Sequence, residues 1–204
     1  MGQHPETKEQ VMTTPDRSTA DLVAAAREIL RSKAVFVFDE PIQLASGAMS
    51  LHFIDGKKGL AHAPDLRVAC EAIAALVADA GIEWDAVGGL TLGADHLAVG
   101  VAMVTDRSWF FVRKEAKDRG TGRQIEGATV EAGTRVLLVE DITSSGGSMF
   151  KAYDIIAATG AEIVAATTLI DRGDAASEEL NRRSTPFFPL GTYRTFDMDP
   201  VGRS

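Results

Sequence analysis

Residue types that suit a phosphorylated sugar follow one apolar run of the chain. The run Val136–Val139 leads directly into two acids, Glu140 and Asp141, and then into the small-residue turn Thr143–Ser148. Glycines and short hydroxyl residues let backbone amides approach an anion, and the start of a helix adds a partial positive charge. Carboxylates accept hydrogen bonds from sugar hydroxyls. The segment Arg135–Ser148 therefore predicts a ribose-phosphate site, with an ordinary capped strand-to-helix turn as the alternative.

Two common nucleotide-binding motifs do not account for this segment. The chain has no G-x-x-x-x-G-K-[ST] sequence. The run Gly120–Gly122 resembles the start of G-x-G-x-x-G, but Ile125 stands where the last glycine is required. A phosphate-binding turn of a different kind is therefore predicted.

A second candidate segment, Arg113–Gly127, is basic and rich in glycine. Its cations are Arg113, Lys114, Lys117, Arg119 and Arg123, in a chain whose formal net charge is -8. Breaking a ribose–diphosphate bond requires stabilisation of the charge that grows on the leaving group. A basic lid would supply it and would exclude water. A solvated charged loop is the alternative interpretation.

Composition limits the classes of partner. The 204 residues suit one domain, and we predict a tail over residues 1–17 followed by a single domain over 18–204. The acidic balance disfavours nucleic acid and anionic membranes as partners. One cysteine, Cys70, permits no internal disulfide and fits a reducing, cytoplasmic setting. It lies on the apolar face of a predicted helix, so we expect it in the core.

The elements that must position these segments alternate between helix and strand. Helices are predicted at Thr19–Ala34, Pro64–Ala80, His96–Val104 and Ser148–Thr159, and strands at Asp85–Leu90, Trp109–Val112, Val136–Val139 and Ile163–Ile170, with Phe187–Leu190 as an edge strand. Such alternation predicts an α/β fold with an open, mostly parallel sheet flanked by helices. Ligands bind such sheets at the carboxyl ends of the strands, where both candidate segments lie.

The acids and the turn together resemble the signature of the type I phosphoribosyltransferases, which bind 5-phosphoribosyl 1-diphosphate. The resemblance implies that family's sheet, with a small hood built from the N- and C-terminal parts. It also implies that Glu140 and Asp141 contact the ribose hydroxyls. The residues implied to hold the 5-phosphate are Thr143, Ser144, Ser145, Gly146, Gly147 and Ser148.

The basic loop, FVRKEAKDRGTGRQIEG, closely resembles the catalytic loop of orotate phosphoribosyltransferases. The resemblance implies that Arg113, Lys114, Lys117 and Arg119 bind the diphosphate, and that Lys117, Arg119 and Asp141 are catalytic. Many family members have histidine at the position of Arg119. Arginine donates to phosphate equally well but does not shuttle protons near neutral pH.

The segment SGAMSLHFID resembles the family's base pocket and implies that Phe53 packs on the pyrimidine ring. The resemblance further implies that Arg172, assisted by Ser144, binds the orotate carboxylate. A core role for Phe53 and a surface charge at Arg172 are the alternatives. Some members carry lysine where this chain has Ala45.

The implied reaction joins orotate to the ribosyl group, giving orotidine 5′-phosphate and diphosphate for UMP synthesis. The resemblance implies Mg²⁺ carried by the substrate without a dedicated protein metal site. It also implies a homodimer whose loop reaches the partner's site. A different base as acceptor, or a non-catalytic regulator that binds 5-phosphoribosyl 1-diphosphate, are the alternative functions.

Overall fold

The computed structural model describes residues 17–44, 47–115 and 124–201. The helices are α1 (Thr19–Lys33), α2 (Gly56–Gly59), α3 (Ala63–Asp79), α4 (Asp95–Thr105), α5 (Gly147–Ala157) and α6 (Ala175–Arg182). The strands are β1 (Val35–Gln43), β2 (Met49–Ile54), β3 (Ala86–Leu90), β4 (Ser108–Val112), β5 (Ile125–Gly127), β6 (Arg135–Thr143), β7 (Glu162–Asp171) and β8 (Gly191–Thr192). A 3-10 helix, Tyr193–Phe196, follows β8.

Six strands form the main sheet, in the order β5-β4-β3-β6-β7-β8. Every neighbouring pair is parallel except β4 and β5, so the predicted open, mostly parallel sheet is confirmed. Gly88 and Gly89 in β3 allow the neighbouring strands at the centre of the sheet to approach closely. A Cβ on Gly88 would meet the Phe110 carbonyl, and one on Gly89 would meet the Val139 carbonyl.

Both faces of the sheet are covered, which explains the continuous apolar runs of β3, β6 and β7. One face packs against α1, α3 and α4 through Leu30, Ile73, Leu97, Val87, Leu137 and Leu169. The other packs against α5 and α6 through Phe110, Leu138, Met149, Ile156 and Leu180. Cys70 is fully buried in the first core, as predicted, and burial raises the pKa of its thiol to about 12.

A separate two-stranded antiparallel sheet, β1 with β2, forms the hood. The segment after β7 contacts α1, which precedes this hairpin. Arg27 Nε donates to the Leu190 carbonyl at 2.5 Å, and Arg31 Nη2 donates to the Thr195 carbonyl at 2.6 Å. The segment that follows β7 therefore holds α1, the helix that leads into the hood strand β1.

The structure differs from the predicted elements mainly at the edges. β1, which was not among the predicted strands, extends beyond the apolar stretch Val35–Phe38 because its polar half pairs with β2, which the local pattern does not reveal. β5 lies in the segment predicted as loop. The segment Phe187–Leu190 runs along β7 as predicted, with Phe188 N donating to the Ala166 carbonyl at 2.9 Å, but the strand itself is β8.

No helix in the described part of the chain is long and apolar enough to cross a membrane.

Candidate functional site

A cavity of about 550 Å³ opens at the carboxyl ends of β6 and β7. It is lined by Leu44, Phe53, Ile54, Glu140, Ile142, Thr143, Ser144, Ser145, Gly146, Gly147, Ser148, Met149 and Arg172. The fold thus brings together the base-pocket segment, the ribose-phosphate segment and Arg172, which are far apart in the sequence. This is the edge at which the sheet topology predicts a ligand.

The small-residue turn forms the start of α5. Gly146 is its N-cap and adopts a left-handed conformation with φ of 80°, which favours glycine. No described side chain caps the helix, while Ser145, Gly147 and Ser148 are exposed. The first N–H groups of α5 therefore face the cavity edge with small side chains around them, an arrangement that suits a phosphate group.

Backbone N–H groups hold one carboxylate oxygen of each acid, Glu140 and Asp141. Glu140 Oε1 accepts from Asp141 N at 3.1 Å, and Asp141 Oδ1 accepts from Ile142 N at 2.8 Å. Glu140 is only 3% exposed, and its Oε2 is buried without a partner among the described residues. One oxygen of each acid is thus left for a ligand or a neighbouring side chain.

The two acids differ in charge. Burial, followed by the charge of Asp141, raises the pKa of Glu140 well above its usual range. Burial also acts to raise the pKa of Asp141, but the hydrogen bond from Lys57 and further hydrogen bonds outweigh it, so that this pKa is lowered. Asp141 is therefore the ionised member at neutral pH, and Glu140 the member that holds a proton more readily. Such a pair can both donate to and accept from sugar hydroxyls.

Sequence reasoning missed Lys57, whose Nζ lies 2.8 Å from Asp141 Oδ2. Lys57 comes from α2, a one-turn helix capped by Asp55, which accepts from Lys58 N at 3.0 Å. The motif Asp-Gly-Lys-Lys signals a capped turn with two cations. Nothing in it indicates which acid those cations reach, 84 positions along the chain.

The turn after β3 packs against the acid pair. A Cβ on Gly93 would lie 2.5 Å from Glu140 Oε1 and 2.8 Å from Asp141 Oδ1, so only glycine fits here. The Thr91–Leu92 peptide in this turn is cis. His96 follows it and is partly buried, and burial lowers the pKa of its imidazole. The backbone of this turn therefore lies beside Glu140 and Asp141.

Arg172 is only 3% exposed. The alternative interpretation of this residue as a surface charge is therefore wrong. Its Nη2 donates to Ser50 Oγ at 3.0 Å and to the His52 carbonyl at 3.2 Å. Its Nε is buried without a partner in the described part of the chain. Burial lowers the pKa of this guanidinium, and no carboxylate forms an ion pair with it among the described residues. The cavity therefore contains a buried cation that suits an anionic ligand.

Phe53 is 41% exposed, which favours the predicted ligand contact over the core alternative. The ring belongs to the hood strand β2 and lines the same cavity as Arg172. A planar ligand between them would therefore touch an aromatic face and a guanidinium.

The basic loop is described only at its ends. Arg113 and Lys114 are exposed just after β4, and neither lines the cavity. Arg113 N donates to the Gln124 carbonyl at 2.8 Å, which holds the two ends of the loop together. Lys117 and Arg119 lie outside the described residues. The hairpin of β4 and β5 therefore fixes where the loop leaves the sheet and where it returns.

The site offers little to bind a metal by itself. Among the described residues, no group of three or more histidine, cysteine, aspartate or glutamate side chains could hold an ion. Glu140 Oε2, together with Asp141 Oδ2 once Lys57 is displaced from it, instead suits a hydrated cation carried by a ligand.

Comparisons with known proteins agree with this geometry. The model of the phosphoribosyl transferase domain family matches residues 60–188. The orotate phosphoribosyltransferase of Pyrococcus furiosus is 42% identical over 147 residues, covering 72% of this chain and 80% of that protein. That of Corynebacterium glutamicum is 37% identical over 175 residues, covering 84% and 91%.

Solved structures show the same similarity. A phosphoribosyltransferase from Corynebacterium diphtheriae is 31% identical, with a TM-score of 0.71 over 86% of this chain and 98% of that one. The orotate phosphoribosyltransferase of Mycobacterium tuberculosis in complex with 5-phospho-α-D-ribosyl 1-diphosphate is 28% identical, with a TM-score of 0.71 over 86% and 99%.

Proposed function

Since this chain belongs to the phosphoribosyltransferase family, we propose that it is an orotate phosphoribosyltransferase. It transfers the 5-phosphoribosyl group from 5-phosphoribosyl 1-diphosphate to orotate, giving orotidine 5′-phosphate and diphosphate on the route to UMP. One observation carries the choice of base: the buried guanidinium of Arg172 lines the same cavity as the phosphate turn. A carboxylated base is the acceptor that such a cation favours.

The ribose phosphate would be held at two points. The N–H groups at the start of α5 and the hydroxyls of Thr143–Ser148 receive the 5-phosphate. Glu140 and Asp141 receive the ribose hydroxyls through the oxygens that the backbone leaves free. Fixing the sugar at both points orients C1 toward the base, which lowers the entropic part of the barrier.

The base would lie between hood and sheet. Phe53 offers an exposed ring for stacking, while Arg172 Nε and the Ser144 hydroxyl donate to the orotate carboxylate. A paired interaction of this kind sets the orientation of the ring as well as its affinity. The ring nitrogen that attacks C1 is thereby presented to the ribose.

In the transfer step, the bond from C1 to the diphosphate oxygen breaks, a bond from C1 to the ring nitrogen forms, and the proton of that nitrogen passes to the leaving diphosphate. Positive charge develops on the ribosyl centre and negative charge on the leaving group. Arg113, Lys114, Lys117 and Arg119 are proposed to stabilise the diphosphate, with Lys117, Arg119 and Asp141 as the catalytic residues. The hairpin of β4 and β5 supports this role because it anchors the loop beside the ligand edge.

Magnesium is part of the proposal. Glu140 Oε2, and Asp141 Oδ2 once Lys57 is displaced from it, would hold a hydrated cation that the substrate brings, and no cage of described residues competes for it. When bound, Mg²⁺ neutralises the diphosphate and keeps several of its waters.

We also propose a homodimer, in which the basic loop serves the partner's site, and a cytoplasmic location. The dimer rests on the family resemblance of the loop. The location is supported by the single cysteine, since one thiol permits no internal disulfide.

A panel of bases assayed with 5-phosphoribosyl 1-diphosphate and Mg²⁺ tests the proposal. Diphosphate release with orotate, and much less with uracil or purines, is the expected result. Release only with another base would point to that base as acceptor, which Arg119 and Ala45 leave open. Binding without release for every base would indicate a regulator.

A further inference from the structure

The acid pair already has a cation in the absence of substrate. Lys57 Nζ lies 2.8 Å from Asp141 Oδ2, with 55% of the lysine side chain exposed and 14% of the aspartate side chain. Asp55 adds its charge to the attraction on this ammonium. The contact therefore joins a cation at the mouth of the site to the ionised acid within it.

The contact uses an oxygen that a ligand needs. Asp141 Oδ1 and Glu140 Oε1 are bound to backbone N–H groups, which leaves Asp141 Oδ2 and Glu140 Oε2 for a ligand. Lys57 occupies the first of these, and the second has no partner among the described residues. A divalent cation or a ribose hydroxyl approaching Asp141 must therefore replace the lysine.

The backbone of α2 is fixed, but the lysine side chain is not. Gly56 packs on β6 and β7, because a Cβ there would lie 3.5 Å from Asp141 Cβ and 3.1 Å from Leu169 Cδ1. Beyond this anchor, Lys57 has a flexible four-carbon stem in contact with water. Half-exposed ion pairs are weak, so a ligand can displace this one while α2 stays in place.

We propose that Lys57 is a positioning residue that acts as the resident counter-ion of the acid pair, holding Asp141 until the divalent cation and the ribose take its place. The inference rests on the proposed role of this pair in ribose binding. Lys57 keeps the empty site electrically balanced and prevents unproductive capture of a free metal ion. Only a cation that arrives with a ribose phosphate gains enough other contacts to displace it.

Binding of Mn²⁺ to the substrate-free protein tests this directly, with the signal of free Mn²⁺ followed by electron paramagnetic resonance. Lys57→Met removes the charge and keeps most of the stem. We expect it to bind Mn²⁺ at least about threefold more tightly than the parent, with a gain that shrinks as salt rises. Lys57→Arg keeps a cation and should match the parent.

Lys58→Met is the matched control. Lys58 lies next to Lys57 on α2, but its Nζ lies over the Phe36 ring, 4.6 Å from the centroid. This variant should bind Mn²⁺ as the parent does. Equal Mn²⁺ affinity in Lys57→Met and the parent, or undetectable binding by both, would overturn the inference.

The measurement needs neither base nor transfer, so it separates the inference from the proposed function. Suppose that Lys57→Met binds Mn²⁺ more tightly but the protein releases no diphosphate with any base. That result would support the counter-ion role of Lys57 and contradict the proposed enzyme activity. Diphosphate release with orotate, together with unchanged Mn²⁺ binding, would support the enzyme activity and contradict the counter-ion role of Lys57.

Discussion

Arg172 connects the hood to the sheet. Ser50 and the His52 carbonyl hold one end of its guanidinium, while the buried Nε has no described partner. Replacing it with glutamine removes the charge and the Nη2 contacts to the hood, and keeps a polar side chain. Both the hood contacts and the contact of the free nitrogen with the base are on the base side of the proposed site.

For Arg172→Gln we expect kcat/KM for orotate to fall by about 10- to 100-fold, equivalent to about 1.4–3 kcal/mol for a charge-assisted hydrogen bond. KM for 5-phosphoribosyl 1-diphosphate should change little. Steady-state kinetics with each substrate varied in turn measures both. Arg182→Gln, a change on the outer face of α6, is the control. An equal rise in both KM values would contradict a base-specific role.

The free energy of unfolding should depend on pH through one identified group, Asp171. Burial raises its pKa to about 6 from an ordinary value of 3.8, although Thr143 Oγ1 donates to it at 2.8 Å. Between these values the folded protein holds a proton that the unfolded chain has lost. The contribution of Asp171 to stability is therefore greatest at low pH, decreases as the pH rises to about 6, and is constant above that.

Asp171→Asn removes this titration and keeps the shape of the side chain. The free energy of unfolding of the variant, minus that of the parent, should increase from about pH 4.5 to pH 6.5 and then level off. Urea unfolding at several pH values measures it. A difference that is constant across this range would show that Asp171 titrates normally.

At the scale of elements, the turn after β3 and the end of β6 share one packing contact. Gly93 lies against both acids, and the carboxylates it meets are held by backbone hydrogen bonds. A methyl group there cannot be accommodated without moving the carboxylates. Two separate segments of chain therefore have to keep their spacing for the proposed ribose site to form.

We expect Gly93→Ala to weaken binding of ribose 5-phosphate by about tenfold, since overpacking typically costs about 1–3 kcal/mol. Isothermal titration calorimetry measures the dissociation constant. Leu92→Ala changes the same turn at a side chain that is 75% exposed, and it should bind like the parent. Normal binding by Gly93→Ala would show that the turn yields without disturbing the acids.

At the scale of the whole molecule, the proposed dimer makes two inactive variants complement each other. Lys117→Ala should lose most turnover while keeping most ribose-phosphate binding, and Asp141→Asn should lose the ribose contact. If the loop serves the partner's site, each mixed dimer contains one site with both groups intact. Random mixing should then recover about a quarter of the parent activity.

Co-refolding the two variants in equal amounts, followed by the diphosphate assay, measures this recovery. Each variant refolded alone is the control. Failure of the mixture to exceed the two separate activities, with mixed dimers present by mass, would place the loop over its own site.

The sequence alone determined the features that neighbouring residues create. Apolar runs predicted the buried strands β3, β6 and β7, since strands covered on both faces leave few polar positions. Acids followed by a Ser/Gly turn predicted the end of β6, because a helix start and small side chains are local properties. The sheet, the core position of Cys70 and the family were therefore predictable.

Only the tertiary structure decided which distant groups meet. Lys57 reaches Asp141 because α2 docks on β6, and Ser50 reaches Arg172 because the hood closes on β7. Pairing of β1 with β2 outside the main sheet, and of β5 with β4, likewise depends on where edges are exposed. Such contacts depend on how whole elements dock, a free-energy balance over many residues that no local period or spacing records.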